Sequence, residues 1–227
     1  MLYHQFEETL QSKQVLNKRV LPLWLFPMEA PLKEISLSEE KIAKTLPKKR
    51  SRQYKHTRGY VRLALSRLFG IRPLDVPLIA SPGQVPKLET GWGYISFSHC
   101  SDALFLGWNS KRLGVDIERT DRPIASNWIG KRYLHSQEKE GSRKLTEEEF
   151  RLLVLENWVT KEAAIKWQRG MLARDLSKWC WNKKRDVAFH NEMKYEVNIF
   201  NLTFKSWFIA VAYQKQFNII QPIICSS

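Results

Sequence analysis

Apolar positions recur with a helical period over two long stretches and with a period near two over several short ones. Val15–Phe26 reads as a strand region interrupted by Pro22. Ser36 followed by Glu39 is a capping box, which predicts a short helix through about Leu46. Pro47 suits the first turn of a second helix, Lys48–Phe69. Its apolar stripe is Tyr54, Val61, Leu65 and Leu68, and Gly70 and Pro73 end it. Beyond a turn-rich segment, Ser81–Pro86, three strands are expected at Tyr94–Phe97, Ala103–Trp108 and Leu113–Glu118. Ser98–Asp102 would be a polar corner between the first two, and Asn109-Ser110 a tight hairpin between the last two. Asn127–Arg143 is polar, with short helical possibilities. A second capping box, Thr146 and Glu149, opens a helix from Glu147 to about Arg169. Phe150, Leu153, Val154, Trp158, Ala164 and Ile165 form its buried stripe, and Gly170 is its stop. Strands are then expected at Val187–His190, Tyr195–Phe200 and Ser206–Tyr213, the last apolar enough to be central, with a peripheral tail after Gln214.

This order, with hairpins in both halves, argues for an α+β fold. No tandem repeat is visible by identity. Both halves nevertheless run from a helix into short strands, so a pseudo-duplicated fold divided at 1–111 and 112–227 is expected, each half a small, mainly antiparallel sheet packed with a long helix.

Composition narrows the class. The chain has 227 residues, 43% hydrophobic and 26% charged, enough for a real core and unlike a disordered segment. No apolar run reaches membrane-spanning length, and Met1–Lys13 has no apolar segment of a secretory signal. Cys100, Cys180 and Cys225 form neither a metal-ligand spacing nor a disulfide framework, so a reducing cytoplasm is the expected location. The net charge of +14 calls for an anionic partner, whether nucleic acid, a membrane surface, a phosphorylated small molecule or an acidic protein.

Two constellations carry candidate chemistry. On the second long helix Trp158, Glu162 and Lys166 are spaced i, i+4, i+8 and share nearly one face. Taken alone, Glu162 and Lys166 read as a routine surface ion pair. On the predicted strand, Asp116 and Glu118 alternate onto one face, about 7 Å apart. They either point to solvent on an edge strand, with Arg119 nearby, or share a cation between them; Mg²⁺ takes carboxylate oxygens and leaves positions for phosphate. Glu162 supplies a third carboxylate, and with Lys161 and Lys166 the set becomes a metal with flanking cations, suited to displacement at phosphorus.

Gly114-Val115-Asp116-Ile117-Glu118 followed by Trp158-x-x-Lys161-Glu162-Ala163-x-x-Lys166 resembles the two signature motifs of the 4′-phosphopantetheinyl transferases. Ser98-His99 resembles the Ser-His pair ahead of the metal strand. The spacing of the acidic motifs, and the half that precedes them, resemble the long, surfactin-synthetase-activating type. The resemblance runs from about Leu37 to Tyr213. It implies transfer of the 4′-phosphopantetheine arm of coenzyme A to a serine of an apo acyl or peptidyl carrier protein of a fatty-acid, polyketide or non-ribosomal peptide synthase, with 3′,5′-ADP released. The active site would lie at the interface of the halves, and a chain carrying both motifs is expected to act as a monomer. By the same resemblance Asp116, Glu118 and Glu162 hold Mg²⁺, with Mn²⁺ as an alternative accepting the same ligands, and Glu162 or a water it orients takes the serine proton. Lys166 meets the pyrophosphate. Lys161, about 100° around the helix from Glu162, is a weaker contact. Tyr133-Leu134-His135-Ser136-Gln137-Glu138 resembles an aromatic-x-x-x-x-Glu segment, making Glu138 a second base or an outer metal contact, against the plainer reading of a surface glutamate. His99 and Ser98 would meet the 3′-phosphate, and Lys48, Lys49 and Arg58 the phosphates of the nucleotide.

Two segments depart from the family pattern. Gly83-Gln84-Val85-Pro86-Lys87 places its lysine after the proline instead of before it, which makes Lys87 a secondary nucleotide contact. Gln168-Arg169-Gly170-Met171 has one glycine where Gly-x-Gly is usual. The competing class is a basic nucleic-acid-binding module, built on the charge and the Lys48–Arg62 segment. Its expected signs, an aromatic-basic single-strand motif or a zinc spacing, are missing from the sequence, and the transferase reading expects neither nucleic acid nor membrane as a partner.

Overall fold

Both capping boxes form in a computed structural model of the protein, which describes residues 3–5, 21–79, 84–140, 142–214 and 224–226. The Ser36 N–H donates to the Glu39 carboxylate at 2.8 Å and the Glu39 N–H donates to Ser36 Oγ at 3.3 Å, opening the helix Leu37–Thr45. Thr146 and Glu149 do the same for the helix Glu147–Gln168. The basic helix Lys48–Phe69 ends on Gly70 at φ 67°, a left-handed position that glycine takes without a Cβ clash. The other long helix ends differently from expectation: Arg169 takes the left-handed position, at φ 62°. Gly170 follows it, and a Cβ there would lie 2.4 Å from Oδ2 of Asp175, the carboxylate that accepts from the Met171 N–H.

The chain divides into two compact units. The first contains β1 (Tyr3–Gln5), β2 (Leu23–Pro27), β3 (Leu78–Ile79), β4 (Lys87–Leu88), β5 (Tyr94–His99) and β6 (Ala103–Asn109), although from Ser96 onward β5 is counted with the second. β2 and β6 pair antiparallel in a sheet of order β2–β6–β5, and β3 pairs with β4. Tyr60, Val61, Ala64, Leu65 and Leu68 bury one side of the basic helix, with Tyr54 half-buried at its margin. A buried ion pair from Arg62 Nε to Glu39 at 2.8 Å joins the two helices of this unit. The Arg62 guanidinium also donates to the carbonyls of Pro73 and Val76, which satisfies it away from water.

The second unit is a five-stranded antiparallel sheet of order β7–β11–β10–β9–β8. Its strands are β7 (Leu113–Arg119), β8 (Trp179–Asn182), β9 (Val187–His190), β10 (Tyr195–Phe204) and β11 (Trp207–Tyr213). β11 pairs on both sides, the central place its apolarity predicts. A last strand, β12 (Ile224–Ser226), pairs in parallel with β1 in the first unit. The fold is therefore α+β with mainly antiparallel sheets, as expected.

Several local expectations change. Asn109-Ser110 makes no hairpin: β6 pairs with β2, and all seven residues of β7 pair with β11. Alternation specifies which face is buried but not which strand lies alongside. The expected polar corner is shorter, because β5 continues through Ser98 and His99. β8 falls outside the expected strands; its Trp-Cys-Trp run is short and lies in a segment with no clear alternation. Residues 15–20 and 81–83, and the tail apart from β12, fall outside the described residues.

The helix Glu147–Gln168 has more than an apolar stripe. Val154, Leu155, Val159, Ala163, Ala164, Ile165 and Trp167 are buried around much of its circumference, whereas Phe150, Leu153 and Trp158 are only half-buried. Val159, Ala163, Ala164, Ile165 and Trp167 belong to one cluster with Leu176, Trp179, Trp181, Val197, Ile199 and Ala212. Trp158, Glu162 and Lys166, the candidate face, stay half-open. The tightest contact is with β7. A Cβ on Gly114 would lie 2.0 Å from the Ala163 carbonyl oxygen and 2.4 Å from the Trp167 nitrogen, so strand and helix touch backbone to backbone. Gly114→Ala must separate them, and a loss of about 1–3 kcal/mol or more is expected, read from the midpoint of urea unfolding. An unchanged midpoint would contradict this contact.

Candidate functional site

The Gly114 contact sets the geometry of the site. Side chains two apart on a strand share a face, so the face of Gly114 that meets the helix also carries Asp116 and Glu118. Asp116 is 2% exposed although β7 is a sheet edge, which rules out the solvent-facing alternative for this residue. Its Oδ1 accepts from Ser98 Oγ at 2.6 Å and from Lys166 Nζ at 2.6 Å. Its Oδ2 is buried with no hydrogen-bond partner. Ser96, two residues before Ser98 and on the same face of β5, accepts from the Val115 N–H at 3.0 Å. This tail of β5 is thus laced to β7, and Ser98 is aimed at the carboxylate. His99 is half-buried and, by alternation, on the opposite face of its strand from Ser98.

Glu118 is partly buried and ion-paired with Arg122. Burial raises its pKa above the usual carboxylate range; Arg122 opposes the rise and the Asp116 charge adds to it. Glu162 is perturbed further, up to about 8. Burial is the main cause, followed by the Asp116 charge, with Lys166 opposing and Glu118 adding a smaller push. The Trp158 indole favours the charged form weakly, and its buried N–H is not closed into a hydrogen bond. The structure therefore brings Asp116, Glu118, Glu162, Lys166 and Ser98 into one electrostatically coupled group. Among the described residues, however, no three acidic, His or Cys side chains converge closely enough to hold a metal ion.

Glu138 and Lys161 are placed elsewhere. Lys161 is 1% exposed and donates to Glu138 at 2.7 Å and to the Tyr133 carbonyl at 2.6 Å. Glu138 also accepts from the His135 and Trp181 N–H groups, both at 2.7 Å. Burial lowers the Lys161 pKa and the Glu138 carboxylate opposes that change. Trp181 lies on β8, the other edge of the sheet, so the buried pair caps an edge strand and fastens the 3-10 turn Gln137–Lys139 to the long helix. Their side-chain bonds run to each other and to the backbone of Tyr133, His135 and Trp181, an arrangement that gives the pair a structural role in this unit.

Within the first unit, Lys48, Lys49 and Lys87 are exposed. Arg58 is 6% exposed and its guanidinium lies 4.8 Å from the centre of the Tyr54 ring, so it is not an open surface cation. Sequence reasoning missed Arg122, the partner of Glu118, because a spacing of four signals a pair only within a helix. It also missed the Ser98–Asp116 bond, which depends on two strands brought together by the fold.

Residues 112–219 match the family model of the 4′-phosphopantetheinyl transferase superfamily. The matched stretch carries Asp116, Glu118, Glu162 and Lys166, and leaves out Ser98, His99 and the basic residues of the first unit. Phosphopantetheine transfer is the activity that superfamily implies, with coenzyme A as substrate and typically a divalent metal. None of the curated proteins matches the chain. Among the described residues no helix is long and apolar enough to cross a membrane.

Two outcomes follow. Between pH about 4.5 and about 8, Glu162 holds a proton in the fold that it loses on unfolding, so its contribution to the stability of the metal-free protein is fully present below pH 4.5 and is lost as pH rises through about 8. Glu162→Gln removes that penalty, so the variant should have the higher melting temperature at pH 8.5, with the advantage vanishing near pH 4.5. A variant no more stable at pH 8.5 would contradict the assignment. Glu138→Gln leaves a buried ammonium without its counter-charge and should cost about 3–5 kcal/mol in urea unfolding, a loss Glu138→Asp only partly restores. Stability within error of the parent would contradict the structural role.

Proposed function

We propose that the protein is a 4′-phosphopantetheinyl transferase of the long, surfactin-synthetase-activating type, which modifies the serine of an apo acyl or peptidyl carrier protein with coenzyme A as donor. The observation that carries the reading is the coupled group of Asp116, Glu118, Glu162 and Lys166 inside the stretch that matches the superfamily. A nucleic-acid role draws no comparable support. Five of the nine tryptophans, Trp24, Trp108, Trp167, Trp179 and Trp181, are buried, so most of them are core and not a stacking surface for bases.

The donor chemistry suits a hard divalent cation. Asp116, Glu118 and Glu162 offer only carboxylate oxygens, and the orphaned Oδ2 of Asp116 is a buried acceptor still needing a partner. We assign these three as the residues that would hold Mg²⁺ or Mn²⁺, although they do not converge on one point without it. Once bound, the cation would neutralise pyrophosphate charge and polarise the phosphorus–oxygen bond. Ser98, bonded to Asp116, orients that carboxylate. Glu162 is assigned to receive the serine proton, directly or through a water. The carrier serine oxygen bonds to the β-phosphorus, the bond from that phosphorus to the bridging oxygen breaks, and 3′,5′-ADP departs. Lys166 is assigned to the pyrophosphate and His99 to the 3′-phosphate. The charge of +14 favours carrier proteins with acidic surfaces around the serine.

Incubation with coenzyme A, Mg²⁺ and a panel of apo carrier proteins should add the mass of one phosphopantetheine to at least one carrier, read by intact mass spectrometry. Asp116→Ala and Glu162→Ala should lose roughly 10²-fold or more in rate while remaining folded. No mass gain on any carrier would overturn the reading, and full activity in either variant would overturn the site.

A further inference from the structure

Lys166 has a closer acidic neighbour by sequence than the one it uses. Glu162 lies one turn back on the same helix, in the favourable Glu-to-Lys order. The ammonium instead donates to Asp116 on β7, at 2.6 Å. It goes to the oxygen that already accepts from Ser98, on a carboxylate only 2% exposed, whose other oxygen is buried without a partner. The lysine side chain itself is 30% exposed, so its stem runs in from the half-open face. Glu118 is treated in the same way by Arg122, whose side chain is 40% exposed. Two cations of the chain itself thus compensate two carboxylates of one coupled group.

We propose that Lys166 is a placeholder cation: in the metal-free protein it neutralises Asp116, and a divalent cation entering the group displaces it, turning the ammonium outward to an anionic ligand. The inference rests on the cation-site reading above. A buried carboxylate left uncompensated is costly, so a folded protein awaiting a divalent ion needs an interim counter-charge. Lysine suits the role because its charge is compact, its stem is flexible and it holds no fixed fork geometry. An ammonium and a divalent cation on one carboxylate repel, so the cation binds more weakly than the carboxylates alone would allow. Cation entry and anion binding are then linked through one side chain, and each favours the other.

The test uses Mn²⁺ alone, titrated into the metal-free full-length protein without coenzyme A and followed by the electron paramagnetic resonance of free Mn²⁺. Lys166→Met keeps most of the stem and removes the charge, and should bind Mn²⁺ about 10-fold more tightly than the parent. Lys166→Arg keeps the charge and should stay near the parent affinity, and Asp116→Asn should lose saturable binding. Near-ultraviolet circular dichroism checks that each variant is folded. Equal or weaker binding by Lys166→Met, or equal tightening by Lys166→Arg, with Asp116→Asn still abolishing binding, would overturn the placeholder and leave the cation site standing. No saturable Mn²⁺ binding in the parent or in Lys166→Met would overturn both.

Discussion

The backbone of β7 lies against the backbone of the long helix at Gly114, with no room for a side chain between them. That contact does two things at once. It closes the core, since Ala163 and Trp167 on the helix side of the contact also belong to the buried cluster of the second unit. It also brings Asp116, two residues along the strand, within hydrogen-bond reach of Lys166 on the helix. Glycine at this position serves close approach and not left-handed geometry, because its φ is not positive. Packing and candidate chemistry are therefore one constraint, and a change that loosens the first moves the second.

The electrostatics follow from this closeness. Three carboxylates are drawn into a half-open setting where burial and mutual repulsion raise Glu118 and, further, Glu162. Such a group opposes folding unless something positive compensates it. Lys166 and Arg122 supply compensation from within the chain, and Ser98 supplies a neutral donor. The site holds unfavourable charge that the rest of the unit must support, and perturbed groups gathered in this way are a common mark of functional sites.

A second ionic arrangement in the same unit shows the contrast. Glu138 and Lys161 are more deeply buried than the candidate group, yet their side-chain bonds end on protein: on each other, on Tyr133, on His135 and on the edge strand at Trp181. The family resemblance is what places Glu138 and Lys161 among the candidate site residues. Asp116 differs from them in keeping a buried acceptor without a partner.

Local chemistry made much of the fold legible in the sequence. Capping boxes involve only near neighbours, and both start their helices where Ser36 and Thr146 stand. The two long helices and most strands follow from local periodicity, and the i, i+4, i+8 and i, i+2 spacings put Glu162 with Lys166 and Asp116 with Glu118. Pairing was not legible. β7 lies beside β11 and not β6, Ser98 reaches Asp116, Lys166 prefers Asp116 to Glu162, and Glu138 caps β8. Each of these contacts joins residues at least 18 positions apart in the chain. Local sequence sets the conformational preference and the face of each element. Which elements meet is decided by burying the whole set of faces at once, and only the tertiary structure makes that choice.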